Sequence, residues 1–378
     1  MKASTIPYSF LLVLAITASG NAMAQHTASD TDKAFIAEVS QGAAAQGNSP
    51  PHGGCITDCV PRFGIVSAFG AEADILLADT VAPKQFVING NIFTTGVLRG
   101  NPVVIVLTGV SVENAAMMTQ SMIDHFNVNH LLLSGIAGGV DPANHIGDVI
   151  VPASWAFAFE DYWNGDSTVP SPCGSASDLS CLGLQLSRFT ATANSDYQIP
   201  TADGLVGTGL FMRNTFVRTS ANFPNGEFRF DYPVDATMLQ VAETIHPVLL
   251  QCGPKNPSLC VSTQPVIHRG GRGLTAPIFL ANPTYRSYVF RITQGQSFDM
   301  ETTAFAHVAF ANRIPFIAFR SLSDLAGGTD FQDVGAFFGS GLAEANSSAV
   351  TLAFLDAWAQ DLAYTRPISP DTQTSVSK

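Results

Sequence analysis

Charge is scarce in this chain. Only 13% of its 378 residues are Asp, Glu, Lys or Arg, and the 18 basic residues are outnumbered by 30 acidic ones. The net charge of −12 repels phosphate at long range, so nucleic acid and anionic lipid are poor partners, whereas small neutral or cationic ligands are unaffected. Several motifs are also missing. Without GxxxxGK[ST] or GxGxxG, a Walker or dinucleotide site is not expected. Without a GxSxG elbow, an HExxH helix or a CxxC pair, the common serine-hydrolase, zinc-protease and zinc-ribbon signatures are absent too.

Apolar material, by contrast, is plentiful. Hydrophobic residues make up 46% of the chain, enough for a large core and unlike a disordered protein. The chain opens MKASTIPYSFLLVLAITASGNAMAQ, with Lys2, the apolar run Phe10–Ile16 and then Ala22-Met23-Ala24. That layout predicts a signal peptide over residues 1–24 and export to a periplasm or the cell exterior. Phe10–Ile16 is too short to span a bilayer, which takes roughly 20 residues. The rival reading, an uncleaved interfacial anchor, lacks a basic face. Cleavage takes one positive charge, Lys2, from a chain at −12 and leaves −13, with no membrane attachment expected afterwards. Residues 25–61, which include QGAAAQGNSPPHGG, read as a flexible linker. Residues 62–366 read as a single domain and 367–378 as a disordered tail.

Six cysteines stand at positions 55, 59, 173, 181, 252 and 260. An even number in an exported chain suggests disulfides. They fall into three local pairs, CITDC, CGSASDLSC and CGPKNPSLC, so the simplest connectivity is Cys55–Cys59, Cys173–Cys181 and Cys252–Cys260. Such short loops pin surface excursions more than they stabilise the whole fold. Zinc ligation is the rival, weakened because no His lies at ligand spacing beside these Cys.

From Arg62 onward, strand-like and helix-like runs alternate. RFGIVSAF (Arg62–Phe69), PVVIVLT (Pro102–Thr108), HLLLSG (His130–Gly135), IGDVIVP and IPFIAFRSLSD have the composition of buried strands. ENAAMMTQSMIDHF (Glu113–Phe126) carries apolar residues at helical spacing with few breakers, and ETTAFAHVAFA (Glu301–Ala311) also suits a helix. Asp299 stands near the start of the second, where a side-chain acceptor caps free amides. The alternation predicts an α/β domain with a largely parallel sheet and a ligand site at the carboxyl ends of its strands.

Three acids adjoin runs that must be buried: Glu72 after GIVSAF, Glu301 after Phe298-Asp299-Met300, and Asp324 at the end of FRSLSD. A carboxylate in such a place is costly unless paired, hydrogen-bonded or protonated. Arg320 is the natural partner. Three acids and one Arg can divide general-acid and general-base work when their surroundings push the pKa values apart. The plainer role for Asp324 is to cap a turn before Ala326-Gly327-Gly328. The Gly-rich turns TGVSVENA, with Gly109, SGIAGGVDP and DLAGG each follow a strand-like run. They serve either as tight turns or as places where a ligand approaches backbone amides. His307, in the middle of ETTAFAHVAFA, reads as a packed histidine.

In combination, LTGVSVENAAMMTQ, LLLSGIAGGVDPANHIGDVIVP and FDMETTAFAHVAFANRIPFIAFRSLSDLAGG resemble the purine nucleoside phosphorylase and nucleosidase superfamily. The similarity runs from about Phe63 to about Ala363, with a diverged centre between about Ala156 and Arg269. The blocks are similar to methylthioadenosine/S-adenosylhomocysteine nucleosidases and to an exported branch that includes plant bark storage proteins. HIGDVIVPASWAF together with DMET and RSLSDLAGG is nearer that branch. The resemblance implies a central mixed, mostly parallel sheet flanked by helices and cleavage of the N-glycosidic bond of a purine nucleoside. It also implies no metal or organic cofactor and a homo-oligomer, dimer or trimer.

By the same resemblance, Asp324 donates a proton to N7 of the leaving purine and Ser323 orients it. Met300 and Glu301 contact the ribose, and Phe279 in LTAPIFLAN stacks on the base. Glu72 takes a proton from the attacking water, with Arg320 beside it favouring the ionised form. Two positions depart from the pattern. Ile136 stands where some nucleosidases carry a Ser near the water, which leaves Glu72 one hydrogen-bonding neighbour fewer. Leu133 stands where hexameric phosphorylases carry an Arg, which together with Glu72 favours water over phosphate as co-substrate. Arg99, Arg213 and Arg269 are the cations left for a phosphate site. The rival classes are a phosphorylase and a non-catalytic nucleoside-binding or storage protein. Joint retention of Glu72, Glu301, Arg320 and Asp324 argues against the second.

Overall fold

A computed structural model describes residues 55–164, 209–212, 214–327 and 338–365. The expected signal peptide, the Cys173–Cys181 pair, Arg213 and the tail beyond residue 366 lie outside the described residues. Twelve strands form one mixed sheet. They are β1 (Asp58–Ser67), β2 (Val81–Ile88), β3 (Asn91–Leu98), β4 (Asn101–Leu107), β5 (Phe126–Gly139), β6 (Val149–Val151), β7 (Ser154–Phe157), β8 (Asp231–Pro233), β9 (Ile267–Arg269), β10 (Arg272–Thr275), β11 (Gly295–Asp299) and β12 (Phe316–Asp324). The helices are α1 (Gly70–Asp79), α2 (Val112–His125), α3 (Ala236–Thr244), α4 (Pro283–Thr293), α5 (Thr302–Asn312) and α6 (Leu342–Thr365).

The main path across the sheet runs β8-β7-β10-β11-β5-β1-β4-β3-β2, and β12, β6 and β9 branch from β5. β5 is the spine. It pairs in parallel with β1 on one side and β12 on the other, with Leu131 opposite both Gly64 and Phe316. At its far end it turns to pair antiparallel with β11, Gly138 facing Phe298. Strands covered on both faces read as continuous apolar runs, which is why LLL in β5 and FIAF in β12 are buried throughout. α2 carries the chain from β4 to β5 and packs against α5, which carries it from β11 to β12. On the opposite side α6 lies over β5 and β12 and against α1.

The expected α/β layering is present, with the sheet mixed and its central strands parallel. One boundary differs. β1 begins at Asp58, inside the stretch read as linker, because Asp58 pairs across to Phe126 and forms an ion pair with Arg62 at 2.8 Å. The Cys55–Cys59 disulfide closes the turn just before it, and a second disulfide joins Cys252 to Cys260. His307 is packed, its ring stacked on Tyr232 at 5.0 Å.

Candidate active site

The carboxyl ends of β1, β5 and β12 converge with the first turns of α1 and α5. α1, α5, β12 and the neighbouring end of β11 contribute polar side chains to a buried cluster, and β5 contributes a backbone amide. Glu72 sits in the first turn of α1, directly after β1. One of its oxygens accepts from the backbone N–H of Ala68 at 2.6 Å and the other from that of Ile136 at 2.8 Å. Asp299 ends β11, and Glu301 stands at the start of α5. Arg320 lies on β12 and is 1% exposed. Its guanidinium spans the group, with Nε 2.8 Å from Asp299, Nη2 3.0 Å from Glu301 and Nη1 3.4 Å from Glu72.

Two glycines of GIAGG make room for these side chains. The register of β12 on β5 sets Arg320 opposite Gly135 and Asp324 opposite Gly138. A Cβ on Gly135 would stand 2.3 Å from Arg320 Nη1 and 2.4 Å from Glu72 Oε1, and one on Gly138 would stand 2.9 Å from Asp324 Oδ1. The small residues are thus required by close approach of functional side chains rather than by a turn. On the other wall, Ser111 holds an unusual φ of 90° and its N–H donates to Glu301 Oε1 at 2.9 Å. Such backbone geometry persists where surrounding contacts over-determine it.

Asp324 is separate from the Arg320 cluster. One of its oxygens accepts from the N–H of Ala326 at 2.7 Å and the other from the Ser323 hydroxyl at 3.0 Å. Between the two acid groups lies a cavity whose apolar wall includes Ile136, Ile278, Phe279, Phe298 and Phe338. Met300, Glu301, Glu72, Asp299, Ser323 and Asp324 line the same space.

Burial sets the protonation of these acids. Glu72 is pushed up to about 7 by desolvation, against the opposing pull of Arg320 and the Ile136 amide. Glu301 is raised for the same reason, with Asp299 adding repulsion and Arg320 opposing it. Asp324 is raised by burial as well, opposed by its two hydrogen bonds and the charge of Arg286. Arg320 does favour the ionised form of Glu72, but its guanidinium is shared among three carboxylates, Glu72 has the longest of the three contacts, and burial outweighs the attraction.

The structure brings Glu72, Ile136, Phe279, Met300, Glu301, Ser323 and Asp324 around one cavity, with Arg320 directly behind the carboxylates. Gly109 is not on that wall. With φ of +83° it makes the turn that delivers Val110 to the cavity and Ser111 to Glu301. At Ile136 the main-chain N–H donates to Glu72, a bond that needs no hydroxyl, while the Ile side chain supplies none of its own.

Asp299 is the group that sequence reasoning missed. It caps α5, as its position predicts, accepting from the amides of Glu301 and Thr302. It also binds the hydroxyls of Thr275 and Thr302 and the Arg320 guanidinium. The available signal was DMETT, an acid followed by two hydroxyl residues at a strand-to-helix junction.

Residues 62–356 match the family described as the phosphorylase superfamily. The chain belongs to the phosphorylase superfamily. Similar proteins include the 5′-methylthioadenosine/S-adenosylhomocysteine nucleosidase of Psychromonas ingrahamii, 22% identical over 267 residues that cover 70% of this chain and 87% of that protein. The nucleosidase of the same description from Listeria monocytogenes is 24% identical over 268 residues, covering 70% and 86%. Among solved structures, the S. pneumoniae nucleosidase with the transition-state inhibitor MT-ImmA superposes with a TM-score of 0.52 at 20% identity, over 79% of this chain and 100% of that one. The Colwellia psychrerythraea nucleosidase in complex with adenine gives 0.52 at 20% identity, over 80% and 96%. These structures share the fold of the chain, a mixed sheet flanked by helices.

For a phosphorylase-superfamily chain, the placement of cations matters. Arg99 is tied to Asp79 at 2.8 Å and Asp356 at 3.7 Å. Arg269 donates to the carbonyls of Ala242 and Ile245. Neither lines the cavity, so two of the three arginines held in reserve for phosphate are engaged elsewhere. Leu133 is a core residue of β5.

Proposed function

We propose that this protein is a nucleosidase that cleaves the N-glycosidic bond of a purine nucleoside with water. One observation carries the choice of nucleophile. Among the described residues lining the cavity there are four carboxylates, Glu72, Asp299, Glu301 and Asp324, and no Lys or Arg. An anionic phosphate binds where cations and donors surround it. Water needs only a base.

In the reaction the C1′–N9 bond breaks and its electron pair goes to the purine. Asp324 gives its proton to N7, which neutralises the leaving base. Glu72 takes a proton from water as the water oxygen bonds to C1′, and the products are free purine and free sugar. The ribose passes through a cation-like state, which the negative carboxylates beside it stabilise. Glu301 and Met300 hold the sugar hydroxyls, Phe279 stacks on the base, Ser323 orients Asp324, and Arg320 fixes the carboxylates. General-acid help of this kind is worth about 100- to 10,000-fold in rate. A raised Asp324 suits a donor, and Glu72 near 7 suits a base that works near neutrality.

The proposal includes export after removal of residues 1–24, supported by the opening sequence and by the two disulfides. It also places the chain in the exported branch with the bark storage proteins, as a homodimer or homotrimer, on the resemblance of HIGDVIVPASWAF, DMET and RSLSDLAGG. The sugar product tests the reaction. Free pentose formed in buffer without phosphate supports hydrolysis, and pentose 1-phosphate formed only when phosphate is added overturns it.

A further inference from the structure

The segment Leu250–Cys260 belongs to the diverged half of the chain and is spliced onto the start of α6 at three points. The N–H of Leu250 donates to Asn346 Oδ1 at 2.7 Å, and the Leu250 carbonyl accepts from Asn346 Nδ2 at 3.0 Å. The N–H of Lys255 donates to the Ser340 carbonyl at 2.9 Å. Gly253 packs so closely that a Cβ there would lie 2.3 Å from Ser340 Cβ. Between these points the Cys252–Cys260 disulfide closes the loop, with Cys252 and Cys260 paired across a two-stranded ribbon.

Ser340 is two residues from Phe338, whose ring lies 6.1 Å from that of Phe279 on the cavity wall. The carboxylates of Glu72 and Asp324 are held by β5, α1 and β12 and make no contact with this loop. A brace on Ser340 therefore acts on the aromatic wall and leaves the proton-transfer groups alone.

We propose that the Cys252–Cys260 loop is a positioning element of the substrate site, which fixes Phe338 against Phe279 and so sets how tightly a planar base is held. The role rests on the reading of this cavity as a purine nucleoside site. Opening the loop loosens the wall, so substrate binding weakens while the chemical step stays intact. An aromatic contact of about 0.5–1.5 kcal/mol corresponds to a KM change of roughly twofold to tenfold.

The test uses the mature chain with both Cys252→Ser and Cys260→Ser, 5′-methylthioadenosine as the assayed nucleoside, and adenine release as the readout. The expected result is KM raised about twofold to tenfold with kcat held. Gly253→Ala keeps the disulfide but pushes on Ser340, and is expected to give the same split. The paired change Cys55→Ser and Cys59→Ser, which opens the other disulfide, is expected to leave KM unaltered. Hydrogen exchange of a peptide covering Phe338–Leu342 reads the brace without turnover, and faster exchange in the Cys252→Ser, Cys260→Ser chain is expected. A parent that releases no adenine counts against the nucleosidase reading alone, since exchange still reports the brace. Unchanged exchange overturns the brace, as does an unchanged KM in a folded variant of an active parent.

Discussion

Glu72 and Arg320 are each 1% exposed, and their charged ends lie 3.4 Å apart. That is the longest of the three Arg320 contacts, since Asp299 at 2.8 Å and Glu301 at 3.0 Å compete for the same cation. Burial therefore outweighs the attraction and carries Glu72 up to about 7. A base must be deprotonated, so kcat should climb as pH rises through about 7. Glu72→Gln should lower turnover by about 100- to 10,000-fold and abolish that limb of the profile. A pH–rate series on both proteins checks this, and an identical limb in the variant would assign it to another group.

The same shift links to stability. Between its ordinary value of 4.5 and about 7, folded Glu72 keeps a proton that the unfolded chain has released. The resulting stabilisation is complete below about pH 4.5 and is lost as pH rises through 7, on the order of 3 kcal/mol in all. Relative to Glu72→Gln, the parent should lose stability over that window, as measured by urea denaturation at pH 4.5 and pH 8.

Gly135→Ala and Gly138→Ala should differ in severity. The first sets a methyl against both Arg320 and Glu72, at 2.3 and 2.4 Å, and both are held by several bonds. The second meets one carboxylate oxygen at 2.9 Å. Gly135→Ala should cost about 1–3 kcal/mol of stability and most of the turnover. Gly138→Ala should retain the fold with a smaller loss of kcat, and thermal melts with initial rates rank the two.

Asp299→Asn removes one of three claims on Arg320. It should destabilise the chain by about 2–4 kcal/mol, because the variant leaves a buried guanidinium less well paired. The freed Arg320 attraction falls on Glu72 and Glu301, so the rising limb assigned to Glu72 should move to lower pH. Chemical denaturation and a pH–rate profile read the two effects separately.

Much of this was legible in the chain, for identifiable reasons. The second half of β1, most of β4, the LLL of β5 and the FIAF of β12 are buried and so appear as apolar runs, while α2 keeps a helical period. The acids were conspicuous because each interrupts such a run. α6 was not legible: Asn346, Ser347, Ser348 and Thr351 are buried polar residues, which erases the apolar stripe, and Asn346, Ser347 and Thr351 bond to neighbouring elements. Asp299 was read as a cap because its local bonds are those of a cap. Its ion pair comes from Arg320, 21 residues later on another strand, and spacing alone does not show it. The sharing of Arg320 that leaves burial dominant at Glu72 is likewise a property of three distances.

The most direct test of the account is Asp324→Asn, with base release from a bound purine nucleoside measured in a single turnover and binding measured by calorimetry on the same preparation. If Asp324 is the proton donor to the leaving base, the variant binds nucleoside nearly as the parent does and releases base about 100- to 10,000-fold more slowly. Release at the parental rate would contradict the assignment and the division of labour between Asp324 and Glu72 built on it.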